Sequence, residues 1–384
     1  MKNVVVISQA ITQDYLDIIE KSLFGTAVIL ITGSNVQRHY DNIKIIQSPQ
    51  HDSRSIRSRF TCWIKHYFFI MRWARKNRRR NIHMIFATSN PPINSFIGLK
   101  IAKRFSAKFV YMNWDLYPQV VERSISKIFS LIPCYFWKVW NSKYYPKIDC
   151  MLTVGDAMEE SINMQMKHRI NIKVIPIGVN TEYIRPIDKK MNPLIKKNNF
   201  QGKFIVLYSG KMGYGHNIEM ILECARKMSS NKNILFLFIG DGPKRALVEK
   251  YIEENITENV VLWNKQDYDA FPYSIGCGDI GIASQEKLLS KLFMPSKAYS
   301  HLACGQPIIG VCSEKDDLGL LISNNKVGMI VDSSDSLKKC ILHYFTDKNN
   351  YEATSRRARE LAVSNYSYDR IIVQYQKLFS DILR

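Results

Sequence analysis

The sequence predicts an α/β chain of two domains, each a parallel sheet flanked by helices. Apolar runs of strand length alternate with amphipathic stretches of helical period along the chain, the pattern of parallel α/β sheets. At 384 residues the chain is too long for one core of ordinary size. Near the middle, Val174–Thr181 gives way to a Lys- and Asn-rich stretch through Asn199, a composition shift that marks a linker. The first domain is expected over 1–180 and the second from 181.

The expected strands of the first half are Val4–Ser8, Ala27–Thr32, Ile82–Ala87, Lys108–Met112, Met151–Val154 and Ile172–Ile175. The second half restarts with Phe204–Ser209, then Ile234–Ile239, Val260–Leu262, Ile280–Ala283, Pro307–Val311 and Gly328–Val331. A composition of 46% hydrophobic and 23% charged residues belongs to a globular chain. No apolar run approaches the roughly 18 residues that span a bilayer. Met1–Ile7 reads as a strand without signal-peptide architecture. The eight cysteines form no Cys-x-x-Cys pair, so neither zinc nor a disulfide framework is indicated. Reduced thiols in a cytoplasmic protein are the expected state.

The net charge of +20 is unevenly spread. Residues 1–180 carry 26 Lys and Arg against 11 Asp and Glu, whereas residues 181–384 carry 28 against 23. The excess peaks from Arg54 to Arg80, where no acidic residue occurs and Arg72, Arg75, Arg78, Arg79 and Arg80 cluster at the end. Phe60, Trp63, Tyr67 and Ile70 recur there at helical spacing, predicting a basic helix with an aromatic side. One reading makes it a crossover helix with a solvated Arg face. The other sets it on anionic lipid, where each basic residue contributes about 1 kcal/mol. The lipid reading is preferred. A basic patch also suits phosphate backbones, but no nucleic-acid-binding motif accompanies it, so nucleic acid is not the expected partner.

Three segments carry chemistry. Gly210-Lys211-Met212-Gly213-Tyr214-Gly215-His216-Asn217 follows an apolar strand and precedes a helix over Ile218–Lys227. Its glycines (Gly210, Gly213, Gly215) let backbone amides approach a phosphate, and Lys211 adds a positive charge. Gly240-Asp241-Gly242-Pro243 ends a second strand, where open α/β sheets bind ligands. The third runs from Met294 to Gly310. Pro295 is expected as the first helical residue, with Ser296 and Lys297 at the amide-rich end that favours an anion. Cys304-Gly305 ends that helix.

These segments resemble retaining glycosyltransferases of the GT-B fold, family four (group 1), in the branch whose donor helix opens with Pro-Ser-Lys. Thr88–Pro92, Asn113–Pro118 and the hinge Val174–Tyr183 with Arg185-Pro186 are similar in the same order. The resemblance implies two Rossmann-like domains facing across a cleft, the second over 181–366. A helix over 367–384, centred on Tyr368–Leu383, would cross back to the first domain. It also implies a nucleotide sugar bound by Gly210, Gly213, Gly215, His216, Gly240, Asp241, Gly242, Lys265, Gln266, Pro295, Ser296 and Ser300. Most of the family has two glutamates eight positions apart; here those positions hold Leu292 and Ser300, and Glu286 has the wrong spacing to replace either. A serine offers one hydroxyl where a carboxylate offers two acceptor oxygens.

The chemical task implied is stabilising charge on the leaving diphosphate, with Lys297, Lys211 and the Ser296–Lys297 amides as candidates. Asp115 is the candidate for holding or deprotonating the acceptor hydroxyl; its alternative is a turn or helix cap. Without an Asp-x-Asp motif, no metal or other cofactor is expected. The expectation is a cytoplasmic enzyme, peripheral on the inner face of the cell membrane. It would move a hexose, from UDP by preference, onto a lipid-linked or growing saccharide of O-antigen, capsule or exopolysaccharide. Alternatives are a weakly catalytic scaffold subunit and a GT-B-like sugar-nucleotide epimerase.

Overall fold

The computed structural model describes residues 1–52, 56–124, 127–254 and 258–384, of which 56–57, 124 and 127–131 are described by backbone alone. Arg54 of the basic run lies outside the described residues. The chain forms two compact units, Met1–Pro176 with Asp369–Arg384, and Ile177–Tyr368.

The first unit holds β1 (Asn3–Ile7), β2 (Ala27–Thr32), β3 (Ile43–Gln47), β4 (Met84–Thr88), β5 (Lys108–Asn113), β6 (Cys150–Thr153) and β7 (Ile172–Val174). They pair in parallel in the order β3-β2-β1-β4-β5-β6-β7. Val4–Ile7 of β1 are wholly buried, as a strand covered on both faces requires. β3 was not expected from the sequence. It is an edge strand, charged at Lys44, and only Ile43 is buried, so its alternation is too faint to read.

The basic helix is present as Ile56–Lys76. His66, Ile70, Trp73 and Ala74 form its buried stripe, while Arg72 and Arg75 are exposed. It ends earlier than the basic run suggests. The Asn77 side chain and amide both donate to the Trp73 carbonyl, and Arg78, Arg79 and Arg80 follow in an exposed turn.

The helix Tyr368–Leu383 returns to the first unit. Tyr375 and Phe379 pack edge-on against Phe86 of β4, and the Tyr375 and Tyr15 hydroxyls lie 2.9 Å apart.

The second unit holds β8 (Phe204–Ser209), β9 (Ile234–Ile239), β10 (Val260–Trp263), β11 (Ile280–Ser284), β12 (Ile308–Val311) and β13 (Gly328–Val331). All neighbours are parallel in the order β10-β9-β8-β11-β12-β13. The strand order reverses between β8 and β11, the place where such sheets open a ligand crevice. The stretch expected as a linker is packed into this unit. Asn192 caps the short helix Pro193–Lys197 and donates to the Tyr273 carbonyl, and Lys189 pairs with Asp279.

Candidate donor site

Two glycine turns at the carboxyl ends of β8 and β9 build the site. Gly210, Gly240 and Gly242 have φ of 127°, 135° and 140°, a backbone region that residues with a Cβ rarely adopt. The turns are also pressed together. A Cβ on Gly240 would lie 2.1 Å from the Gly210 carbonyl oxygen, and one on Gly242 2.6 Å from that of Met212. Backbone bonds join them: the Gly210 amide donates to Ile239, and the Met212 amide to Asp241, both at 2.8 Å.

Beside these turns lies a cavity of about 460 Å³ lined by Gly210, Lys211, Gly240, Asp241, Gly242, Lys265 and Gln266, with Ser209 and Phe271. That is within the usual range of roughly 300–1,000 Å³ for small-molecule sites. Lys211 and Lys265 are exposed to it and Asp241 turns back to accept from the Gly242 amide.

Lys297 sits at the Gly210 turn without lining the cavity. A Cβ on Gly210 would meet the Lys297 Cε at 3.5 Å and its Nζ at 3.8 Å. The Nζ lies 3.6 Å from the centre of the Tyr208 ring and, though buried, has no hydrogen-bond partner. Burial lowers its pKa to about 7. A cation–π contact holds a partly desolvated ammonium without neutralising it. The group is therefore poised to gain from any anion that reaches the turn.

His216 closes the loop. Its Nδ1 donates to the Ser284 carbonyl at 2.7 Å, which leaves Nε2 as an acceptor. Burial first, then the Lys297 charge, lower its pKa to about 4. His216 also packs on Gly213, whose Cβ position lies 3.4 Å from the ring.

Other expected residues stand apart from the cavity. The helix runs Lys297–Ala303 with Ser296 as its cap residue, so Pro295 precedes the helix instead of opening it. The tight first bonds explain this, since the Ala298 and Tyr299 amides reach back only three residues to Pro295 and Ser296. Pro295, Ser296, Ser300 and Gly215 do not line the cavity. Leu292 is buried, and Ser300 half-buried. Asp115 lies in the first unit, just beyond β5.

Three supporting residues were not singled out in the sequence. Arg245 donates to the Gly240 carbonyl at 2.7 Å and fixes the second turn. Lys244 donates to the His216 carbonyl, Glu219 and Glu286 at 2.7, 2.9 and 3.1 Å. Tyr208 is the platform for Lys297. The Lys244-Arg245 pair directly after the Gly-Asp-Gly-Pro turn was the available signal. Among the described residues, no group of three His, Cys, Asp or Glu assembles that could hold a metal.

Residues 191–361 match the family model for glycosyl transferases group 1. The fold is GT-B. It superposes on sucrose-phosphate synthase of Thermosynechococcus elongatus with a TM-score of 0.79 at 16% identity, covering 100% of this chain and 99% of that one. HepE of Anabaena, solved with UDP and glucose, gives 0.75 at 10% identity over 99% and 100%. WaaG, a glycosyltransferase involved in lipopolysaccharide biosynthesis, gives 0.73 at 12% identity over 98% and 99%. In sequence, the chain is 23% identical to the probable glycosyltransferase WbjE of Pseudomonas aeruginosa over 66% of its length. It is 24% identical to the putative colanic acid biosynthesis glycosyl transferase WcaI of Escherichia coli over 43%. The match spans 63% and 44% of those relatives.

Proposed function

We propose that this protein is a retaining glycosyltransferase that moves a hexose from a nucleoside diphosphate, UDP by preference, onto a lipid-linked saccharide of bacterial surface polysaccharide. The observation that carries the reading is the unpartnered Lys297 ammonium under the Gly210 turn, beside a cavity walled by two glycine turns. Glycine backbones give a diphosphate close access to amides, and Lys211 and Lys297 supply the countercharge for a leaving phosphate. The sugar–phosphate bond breaks as the acceptor oxygen bonds to the anomeric carbon. The acceptor's proton passes to a base, for which Asp115 or the leaving phosphate is the candidate. The match over residues 191–361 and the UDP complexes of a GT-B neighbour support a nucleotide in the second unit. WcaI, named for colanic acid biosynthesis, and WaaG, involved in lipopolysaccharide biosynthesis, support the polysaccharide context.

Peripheral attachment to the inner face of the membrane rests on the exposed Arg72, Arg75, Arg78, Arg79 and Arg80. Among the described residues, no helix is long and apolar enough to cross a bilayer. The test is transfer from a panel of UDP- and GDP-sugars to lipid-linked acceptors, with the product's anomeric configuration read by NMR. Transfer with retention from a UDP-sugar is expected; inversion, or no transfer from any donor, contradicts the proposal.

A further inference from the structure

The first unit carries a second cavity, of about 410 Å³, that the donor site does not use. It opens between the helices Ile56–Lys76, Asn94–Phe105 and Lys127–Tyr144, and its walls include Phe60, Trp63, Ile64, Phe136, Trp137 and Trp140. Phe60, Ile64 and Phe136 remain 49%, 53% and 66% exposed, although they are large and apolar. An apolar patch of this kind marks a surface that meets a lipid or a partner. The walls are braced by ring contacts, Phe60 on Trp63 at 5.1 Å and Phe96 on Trp140 at 5.4 Å.

The chemistry of the groove narrows the occupant. Among the described residues none that lines the groove is charged, and the Ser95 hydroxyl donates its proton to the Pro92 carbonyl. A peptide laid there would leave most of its backbone amides and carbonyls unsatisfied, whereas a hydrocarbon chain has none to satisfy. Arg59 adjoins the lining residue Phe60 in the chain, and charge of both signs lies near one end of the groove. Trp137 stacks on Tyr117 at 6.0 Å, and the Tyr117 phenol feels both Arg59 and Asp115 electrostatically. The helix bearing Arg59 has no acidic residue from Ile56 to Lys76. An aromatic trough with a guanidinium near one end is complementary to a hydrocarbon chain that ends in phosphate.

We propose that this groove binds the hydrocarbon chain of a phosphate-bearing lipid carrier, with the phosphate near Arg59 and the saccharide beyond it toward Asp115. The proposal rests on the glycosyltransferase reading for the identity of the cargo, but the groove is tested without turnover.

Geranylgeranyl phosphate is the probe, and quenching of Trp63, Trp137 and Trp140 by a spin-labelled or brominated chain is the readout. Saturable binding is expected. The double variant Phe60→Ser/Phe136→Ser should weaken it at least tenfold while UDP binding to the same samples is unchanged. Both positions are substantially exposed, so the fold should persist, and a retained thermal transition verifies it. Arg59→Gln should weaken binding of the phosphate but not of geranylgeraniol. Equal binding by wild type and double variant overturns the groove, as does binding to phosphatidylglycerol vesicles with geranylgeranyl phosphate ignored. Either result leaves the donor proposal standing if UDP still binds. Loss of UDP binding alone would instead sink the donor reading and leave the groove.

Discussion

Lys297 gives a prediction that can be worked to a number. In the unliganded protein its ammonium is buried without a hydrogen-bond partner, and burial lowers its pKa to about 7. A diphosphate at the Gly210 turn would supply an opposite charge and return the pKa toward the ordinary value of about 10.4. At pH 8 about one tenth of the free protein carries this proton, against nearly all of the complex. Binding therefore takes up about 0.9 proton per nucleotide. Once the pH exceeds 7, affinity falls toward tenfold per pH unit, about 50-fold between pH 7 and pH 9. Calorimetric titration of UDP at pH 8, in buffers of different ionisation enthalpy, reads the uptake directly. Lys297→Met should abolish it and flatten the pH profile. Tight UDP binding with no proton uptake at pH 8, in wild type as in the variant, would refute the role assigned to this ammonium.

Four other outcomes follow from the same geometry. Because the folded pKa of Lys297 is depressed, its burial cost is present in full below pH 7 and fades as pH rises toward 10.4. Lys297→Met should thus stabilise the unliganded protein at pH 7 by on the order of 4 kcal/mol, with the gain shrinking by pH 10, as denaturant melts at both pH values would show. Gly240→Ala drives a Cβ to 2.1 Å from the Gly210 carbonyl in a left-handed turn, and should cost about 2 kcal/mol or more and most of the UDP affinity, measured by urea unfolding and titration. With its pKa lowered to about 4 by burial and Lys297, His216 stays neutral above pH 5, so His216→Gln should leave the shape of the activity profile from pH 5 to 8 unchanged. Replacing Arg72, Arg75, Arg78, Arg79 and Arg80 with Gln should abolish sedimentation with anionic liposomes; unchanged sedimentation would remove the membrane proposal.

The sequence was most informative where burial on both faces wrote long apolar runs. β1, with Val4, Val5 and Val6, and β9, with Phe236 and Phe238, are such runs, and they carry the alternation from which the α/β class was read. It was least informative at edges and ends. β3 has one neighbour and a lysine within it, and the stop of the basic helix depends on Asn77 bonding back to Trp73. The packed stretch around Lys189 and Asn192 looked like a linker because its partners, Asp279 and Tyr273, lie 90 and 81 residues on.

At the candidate site, each glycine turn was visible alone, as a run of small residues after a strand. That the two turns are stapled together was not, because Gly210 and Gly240 meet only through the pairing of β8 with β9. The same holds for Lys297. Its place in the sequence suggested a helix-end charge. Only the fold sets it on the Tyr208 ring with its proton loosely held. Lys244 and Arg245, which tie the turns to the loop, were masked by their resemblance to ordinary helix-surface charges.

The most direct test of the donor site is thermal-shift binding of wild type and Lys297→Ala against UDP, GDP, CMP and dTDP. Stabilisation of the wild type by UDP, lost in the variant, is the predicted result. A wild type that none of the four nucleotides stabilises would contradict a nucleoside-diphosphate site in the second unit and favour a scaffold subunit on the same fold.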